Sequence, residues 1–306
     1  MSGSLSFPPL KNVLIAGGTH GNEYTGAFLA RKWIANPEPL QRSTLNAHAL
    51  FANPQAFQRC KRYIDRDLNR SFNPSGVIGD PDALELYRAK EIQSELTQLC
   101  DGGLPDVIFD LHSTTANMGM SLVLTNRDAF NVLLLAHLRS RFEDVNAYLW
   151  EEPASRPGFL NSLSRNGFAI EVGPVANGVL SAEWVQKTEA LVHACLDFVE
   201  SWNQSQRPAL VGEVPLYVFQ KHVDYPRAAD GLPAAMIHPS LQNTDFKMLK
   251  NGDPVFLDFE GRVETWKGGD VWPVFINEAA YYEKGIAFTT AEKVNISINN
   301  LQAPWN

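Results

Sequence analysis

Residues 13–23 read V-L-I-A-G-G-T-H-G-N-E, an unbroken apolar run from Val13 to Gly17 that passes into a glycine-rich turn carrying His20 and Glu23. An apolar run without alternation marks a strand covered on both faces, as in a parallel sheet. The same texture returns at residues 47–52, 107–111, 122–125 and 168–172. Between these runs, residues 26–35, 81–99, 128–142 and 181–202 have helical spacing. Leu84, Tyr87, Ile92 and Leu96 repeat every three to five positions, and Pro81 suits a first helical turn. Strands alternating with helices imply an α/β fold, a mixed but mostly parallel sheet flanked by helices. Ligands of such sheets bind at the carboxyl ends of the strands, which is where His20 and Glu23 stand.

The chain has 306 residues, 44% hydrophobic and 20% charged, enough for one large or two ordinary domains. Lys and Arg number 26 against 34 Asp and Glu, a net charge of −8. That balance argues against a broad basic face for nucleic acid or an anionic membrane, and leaves room for a small anion held by a few arginines. Cys60, Cys100 and Cys195 lie far apart without a C-x-x-C pair, which fits reduced thiols and gives no cysteine metal site. Cys60 reads as a small buried thiol. No stretch approaches the roughly 18 apolar residues of a membrane span, and Met1 to Leu10 carries no basic residue. A cytoplasmic protein is the expectation.

After Trp202 the helical spacing ends. The polar stretch 203–208 marks a boundary, and short apolar runs at 215–219, 255–259, 271–276 and 294–298 follow, punctuated by Asn251-Gly252, Glu260-Gly261 and Gly268-Gly269. This predicts a catalytic α/β domain over 1–207 and a smaller, mainly β domain over 208–306. Phe256, Phe259, Trp266 and Trp272 would form the core of the second domain.

Four stretches carry chemistry. His20 and Glu23 can converge on one ion if the chain turns there; taken alone, H-x-x-E also reads as a capped glycine turn. Residues 107–115, V-I-F-D-L-H-S-T-T, add His112 at a second strand end. Two histidines and a glutamate form the His₂Glu set of catalytic zinc hydrolases, with a fourth position left for water. Asp110, two residues before His112 on the same strand face, suits an outer carboxylate of that site or a strand cap. Glu171 interrupts the apolar strand 168–172. A carboxylate there must serve as a general base or pair with an arginine, because burying it alone is costly. Residues 62–70, R-Y-I-D-R-D-L-N-R, are a charged loop whose arginines suit bidentate capture of a carboxylate.

Taken together, G-G-T-H-G-N-E-Y-T-G, R-Y-I-D-R-D-L-N-R-S-F, F-D-L-H-S-T-T-A-N-M-G, I-E-V-G-P and N-E-A-A-Y-Y-E-K resemble the aspartoacylase and aminoacylase-3 family of the zinc-carboxypeptidase-like group. The similarity runs in order from about residue 11 to 290. The resemblance implies one Zn²⁺ per subunit held by His20, Glu23 and His112, with Glu171 as general base and then acid. Arg62 would stabilise the oxyanion, and Asn69, Arg70 and Tyr281 would hold the substrate carboxylate. Tyr281 would come from the second domain, which would narrow the entrance. The implied activity is hydrolysis of N-acyl amino acids, N-acetylaspartate first and N-acetyl aromatic amino acids as the alternative. A carboxypeptidase or desuccinylase and a non-catalytic metabolite-binding scaffold rank lower. Members of the family form dimers or higher assemblies, so the resemblance leaves a homo-oligomer open without fixing its size. One position departs from the aspartate-specific pattern. Those members carry an arginine ten residues before the catalytic glutamate and a tyrosine four residues earlier; here Asn161 and Pro157 stand there, and Arg156 or Arg165 would have to substitute.

Overall fold

β1 (Asn12–Gly17) lies between β2 (Asn46–Phe51) and β3 (Val107–Ser113), parallel to both. Its side chains alternate between two apolar layers. Val13 and Ile15 enter one with Trp33, Phe109 and Phe198, while Leu14 and Ala16 enter the other with Ile92, Leu96 and Ile108. This two-sided burial is why the strand needs an unbroken apolar run. The computed structural model describes residues 7–72, 82–150, 158–208, 210 and 212–305; Pro81, Arg156 and Pro157 fall outside them.

α1 (Tyr24–Ala35) follows the ligand turn, α2 (Pro54–Gln58) follows β2, and α3 (Leu84–Leu99) precedes β3. β4 (Gly119–Leu124), α4 (Ala129–Arg141), β5 (Val145–Leu149), β6 (Asn166–Gly173) and α5 (Ala182–Asn203) complete the α/β part. Leu29 and Trp33 of α1 share one layer with residues of α4 and α5, and Ala89, Ile92 and Leu96 of α3 lie in the other. β3 pairs with β6 in parallel, with His112 opposite Glu171. β4 runs antiparallel to β6 and parallel to β5.

The chain continues through β7 (Glu213–Val223), β8 (Ala235–Ile237), β9 (Pro254–Asp258), β10 (Val263–Thr265), β11 (Trp272–Val274) and β12 (Phe288–Ser297). β7, β12 and β11 extend the main sheet, whose nine strands run β11-β12-β7-β5-β4-β6-β3-β1-β2. The other three form a small sheet, β10-β9-β8, over a core containing Ile237, Phe256, Trp266 and Phe288. The C-terminal β part is therefore joined to the catalytic sheet through β5 and β7. Two sequence expectations fail here. Phe259 is 68% exposed because it stands beyond the end of β9, in the turn to β10. Cys60 is exposed at φ 49, in the turn that ends α2.

Close approach of α1 to the sheet sets where the ligand turn stands. A Cβ on Gly17 would lie 2.1 Å from the Gly26 carbonyl oxygen, and one on Gly26 would lie 2.5 Å from the Leu111 carbonyl oxygen. Gly26→Ala is expected to push α1 away from β3 and cost about 1–3 kcal/mol, the usual penalty of overpacking. Urea unfolding of the two proteins measures it, and unchanged stability would show that the helix has room to move.

Candidate active site

The turn after β1 and the end of β3 bring His20, Glu23 and His112 together, buried, with one ligand atom of each within 4.8 Å of the others. His20 Nδ1 lies 2.6 Å from Glu23 Oε1, and His112 Nδ1 lies 2.9 Å from Glu23 Oε2. The two Nδ1 atoms are 3.1 Å apart. Each ring turns its other nitrogen to a buried carboxylate: His20 Nε2 is 3.0 Å from Asp67 Oδ1, and His112 Nε2 is 2.8 Å from Asp110 Oδ2. A carboxylate behind each imidazole fixes its tautomer and aims the free nitrogen inward. Thr19 Oγ1 donates to Asp110 at 2.7 Å, and the Ser113 N–H donates to Glu23 at 3.1 Å.

Charge within the cluster is strongly coupled. Burial raises the pKa of Glu23, but His20 and His112 outweigh it and hold the carboxyl far below its usual range. Burial lowers the pKa of His112, yet Asp110 and Glu23 push it well above normal. The raised pKa of His112 means that binding a divalent cation there would release a proton, which is how metal binding couples to deprotonation of its ligands. Donor set, burial and outer carboxylates all fit a zinc ion.

Arg62 lies against this cluster, with Nη1 3.0 Å from Glu23 and Nη2 3.4 Å from Asp67. Its backbone carbonyl accepts the Gly21 N–H at 3.1 Å, so the arginine loop is docked on the ligand turn. Asn69 and Arg70 sit in a 3-10 turn, Leu68–Arg70, capped by Asp67. The Asn69 side chain approaches Asp110 at 3.2 Å and His112 Nε2 at 3.0 Å, and accepts the Leu160 N–H at 2.9 Å. The Arg70 guanidinium lies over the Phe159 ring, 4.5 Å from its centroid.

These residues open onto a cleft whose lining includes Glu171, Asn161 and Tyr281. Glu171 stands on β6 beside His112. Burial, with help from Glu23 and Glu278, raises its carboxyl to about 8 against the opposing pull of His112 and Arg62. Val123, Ala169, Trp150, Phe159 and Phe275 form an apolar wall. Arg165 is not part of the cleft lining: it is exposed and paired with Asp128.

Two carboxylates that sequence reasoning misses hold this arrangement. Asp67 lies inside the arginine motif of residues 62–70, where its ties to His20, Arg62 and the Asn69 N–H separate it from a solvated charge. Glu278 lies inside N-E-A-A-Y-Y-E-K and is 5% exposed. It accepts from the Thr114 hydroxyl, the Thr115 N–H at 2.8 Å and hydroxyl at 2.9 Å, and the Ala116 N–H at 3.2 Å. It also caps the 3-10 turn Ala279–Lys284 that bears Tyr281. Asp245 makes a second tie, accepting from Asn117 and Ile276 N–H groups, and burial lifts it to about 7.

Comparison with known proteins gives consistent matches along the chain. Residues 9–199 match the succinylglutamate desuccinylase/aspartoacylase catalytic domain, and residues 212–293 match the AstE/AspA barrel-sandwich hybrid domain. A probable aspartoacylase of Trichodesmium erythraeum is 42% identical, covering 94% of this chain and 99% of its own. An N-acyl-aromatic-L-amino acid amidohydrolase (carboxylate-forming) of Mus musculus is 42% identical, covering 95% and 93%. The crystal structure of murine aminoacylase 3 superposes with a TM-score of 0.87 at 41% identity, covering 96% and 98%.

Two outcomes follow from this geometry. Glu278→Ala strands buried donors and is expected to cost about 3 kcal/mol, together with a higher KM as the Tyr281 turn loses its cap; urea unfolding and steady-state kinetics read the two effects. In metal-free protein, Glu171 has a folded pKa of about 8 against an ordinary 4.5, so the folded state binds more protons between those values. Its contribution to stability is therefore full below pH 4.5 and is lost as pH rises through 8. Glu171→Gln should remove that decline from the pH–stability curve, and an unchanged slope would contradict it.

Proposed function

The chain belongs to the succinylglutamate desuccinylase/aspartoacylase family, and from that membership we propose that it is a zinc-dependent amidohydrolase cleaving N-acyl amino acids to a carboxylate and a free amino acid. The observation that carries this reading is the meeting of a buried His₂Glu donor set with Glu171 and two arginines in one cleft. His20, Glu23 and His112 would hold the ion, with Asp67 and Asp110 keeping the imidazoles aimed. Bound there, zinc supplies Lewis acidity toward a water and the scissile carbonyl.

The remaining chemistry falls to side chains. Glu171 takes the proton of the attacking water as the C–O bond forms, then returns it to the amide nitrogen as the C–N bond breaks. Arg62 faces the oxygen on which negative charge develops, and one such donor is worth about 3–4 kcal/mol. Arg70, Asn69 and Tyr281 hold the α-carboxylate and fix the amide's position. The Tyr281 phenol, half-buried in the cleft, has its pKa raised by loss of hydration and by Glu171, and stays a neutral donor.

The substrate side chain or acyl group meets the apolar wall of Val123, Trp150, Phe159 and Phe275. Among the described residues of the lining, the cations are Arg62 and Arg70, and both are engaged by the carbonyl oxygen and the α-carboxylate. A side-chain carboxylate against that wall would find no further cation among the described lining residues, and an unpaired buried charge costs several kcal/mol. The reading therefore favours N-acetyl amino acids with apolar or aromatic side chains over N-acetylaspartate.

Zinc-loaded protein should show kcat/KM for N-acetylphenylalanine above that for N-acetylaspartate by roughly tenfold to two-hundredfold, and little cleavage of a blocked dipeptide. A preference for N-acetylaspartate would overturn the side-chain assignment while sparing the reaction class. Glu171→Gln should keep its zinc and lose about a thousandfold in kcat; retained turnover would remove it as the base. A chelator should abolish activity and zinc restore it.

A further inference from the structure

Outside the cleft stands a fully buried carboxylate with no part in the bond-making and bond-breaking steps. Glu85, in the first turn of α3, is 0% exposed. Its two oxygens accept three consecutive backbone N–H groups of the arginine loop, from Ile64 at 2.7 Å, Asp65 at 3.1 Å and Arg66 at 3.1 Å. The loop reciprocates, because Asp65 Oδ2 accepts the N–H of Leu84, the first residue of α3, at 2.8 Å. Asn53 adds a third tie. Its amide donates to Glu85 at 3.3 Å, and its backbone N–H bonds to the Gly18 carbonyl at 3.0 Å, beside the ligand turn.

Three convergent N–H groups form a concavity suited to an anion. An ionised carboxylate offers only acceptors, whereas an amide would turn its own NH₂ against one of the donors. The loop so gripped begins two residues after Arg62 and ends at Asn69 and Arg70. Arg62 is therefore fixed on one side by Gly21 and on the other by the segment that Glu85 holds.

We propose that Glu85 is a positioning residue for the hydrolysis: by clasping the backbone of residues 64–66 it keeps Arg62 at the scissile carbonyl and the Asn69–Arg70 turn at the substrate carboxylate. This rests on the roles assigned to those residues under the proposed function. Glu85 touches no substrate; it acts through the aim of the guanidinium, where a displacement of about 1 Å can cost a hundredfold in rate.

The test is a double-mutant cycle of Glu85→Gln and Arg62→Ala in zinc-loaded protein, read as kcat and KM, with zinc content and thermal unfolding measured alongside. Glu85→Gln is expected to keep one zinc per chain and lose roughly a hundredfold in kcat. In the Arg62→Ala background the same change should cost little more in kcat, because the guanidinium it aims is already gone, while the rise in KM that comes from the Asn69–Arg70 turn persists. Equal kcat losses in both backgrounds, or full activity of Glu85→Gln beside an inactive Arg62→Ala, would overturn the proposal and leave the reaction reading standing. Full activity of Arg62→Ala would overturn that reading's oxyanion donor and the proposal with it. If Glu85→Gln does not fold, Asp65→Ala opens the same clasp from its exposed side, and the same outcomes decide.

Discussion

Glu23 is the point on which the structure turns. One of its oxygens faces His20 and Arg62, and the other faces His112 and the Ser113 N–H. A carboxylate 4% exposed survives only if every lone pair finds a donor or a cation. Meeting that demand requires the turn after β1, the end of β3 and the arginine loop to arrive at one place. The adjacent register of β1 and β3 supplies the first two, and the Gly21–Arg62 backbone bond supplies the third. Asp67 and Asp110 extend the same logic outward, since the imidazoles that neutralise Glu23 each need an acceptor behind them.

The second half of the chain reaches this centre because the sheet does not end where the helices do. β7 joins β5, and β12 and β11 follow, which brings the segment after β11 back over the strand ends. There Glu278 and Asp245 fasten it to the loop after β3. Both are buried acids accepting backbone N–H groups. Tyr281 is thus placed through the same loop that follows His112.

Much of this was legible in the sequence, for physical reasons. Strands buried on both faces leave continuous apolar runs, so β1, β2, β3, β4 and β6 stood out, as did the helices between them. The residues of the His₂Glu cluster stood at strand ends, where an α/β sheet offers its ligands a site. What escaped was set by tertiary pairing. β5 is a five-residue strand, N-A-Y-L after Val145, with no run long enough to separate it from the preceding loop. β8 and β10 have three residues each, and their identity comes from β9. The joining of β7 to β5 depends on only two register pairs, which no local pattern announces. Asp67, Glu85 and Glu278 look like surface acids in the sequence because their partners are mostly backbone N–H groups or residues far along the chain.

Division of labour among the cations bears on which substrates the proposed enzyme accepts. Arg62 is held between Glu23 and Asp67, so its charge is largely committed before any ligand arrives. Arg70 lies over Phe159 with one nitrogen on the Asn69 carbonyl, leaving one face of a planar fork for a single carboxylate. A substrate with one carboxylate and an apolar side chain spends that fork on its α-carboxylate and lays its remaining surface on Trp150, Phe275 and Val123. On this reading a dicarboxylate would find no further cation among the described lining residues and would leave one charge facing that wall. Selectivity of this kind arises from rejection, since an unpaired buried charge costs more than an apolar contact gains. Asn161, 4% exposed in the cleft lining, is a neutral amide; it can accept or donate a hydrogen bond there but cannot neutralise a second carboxylate.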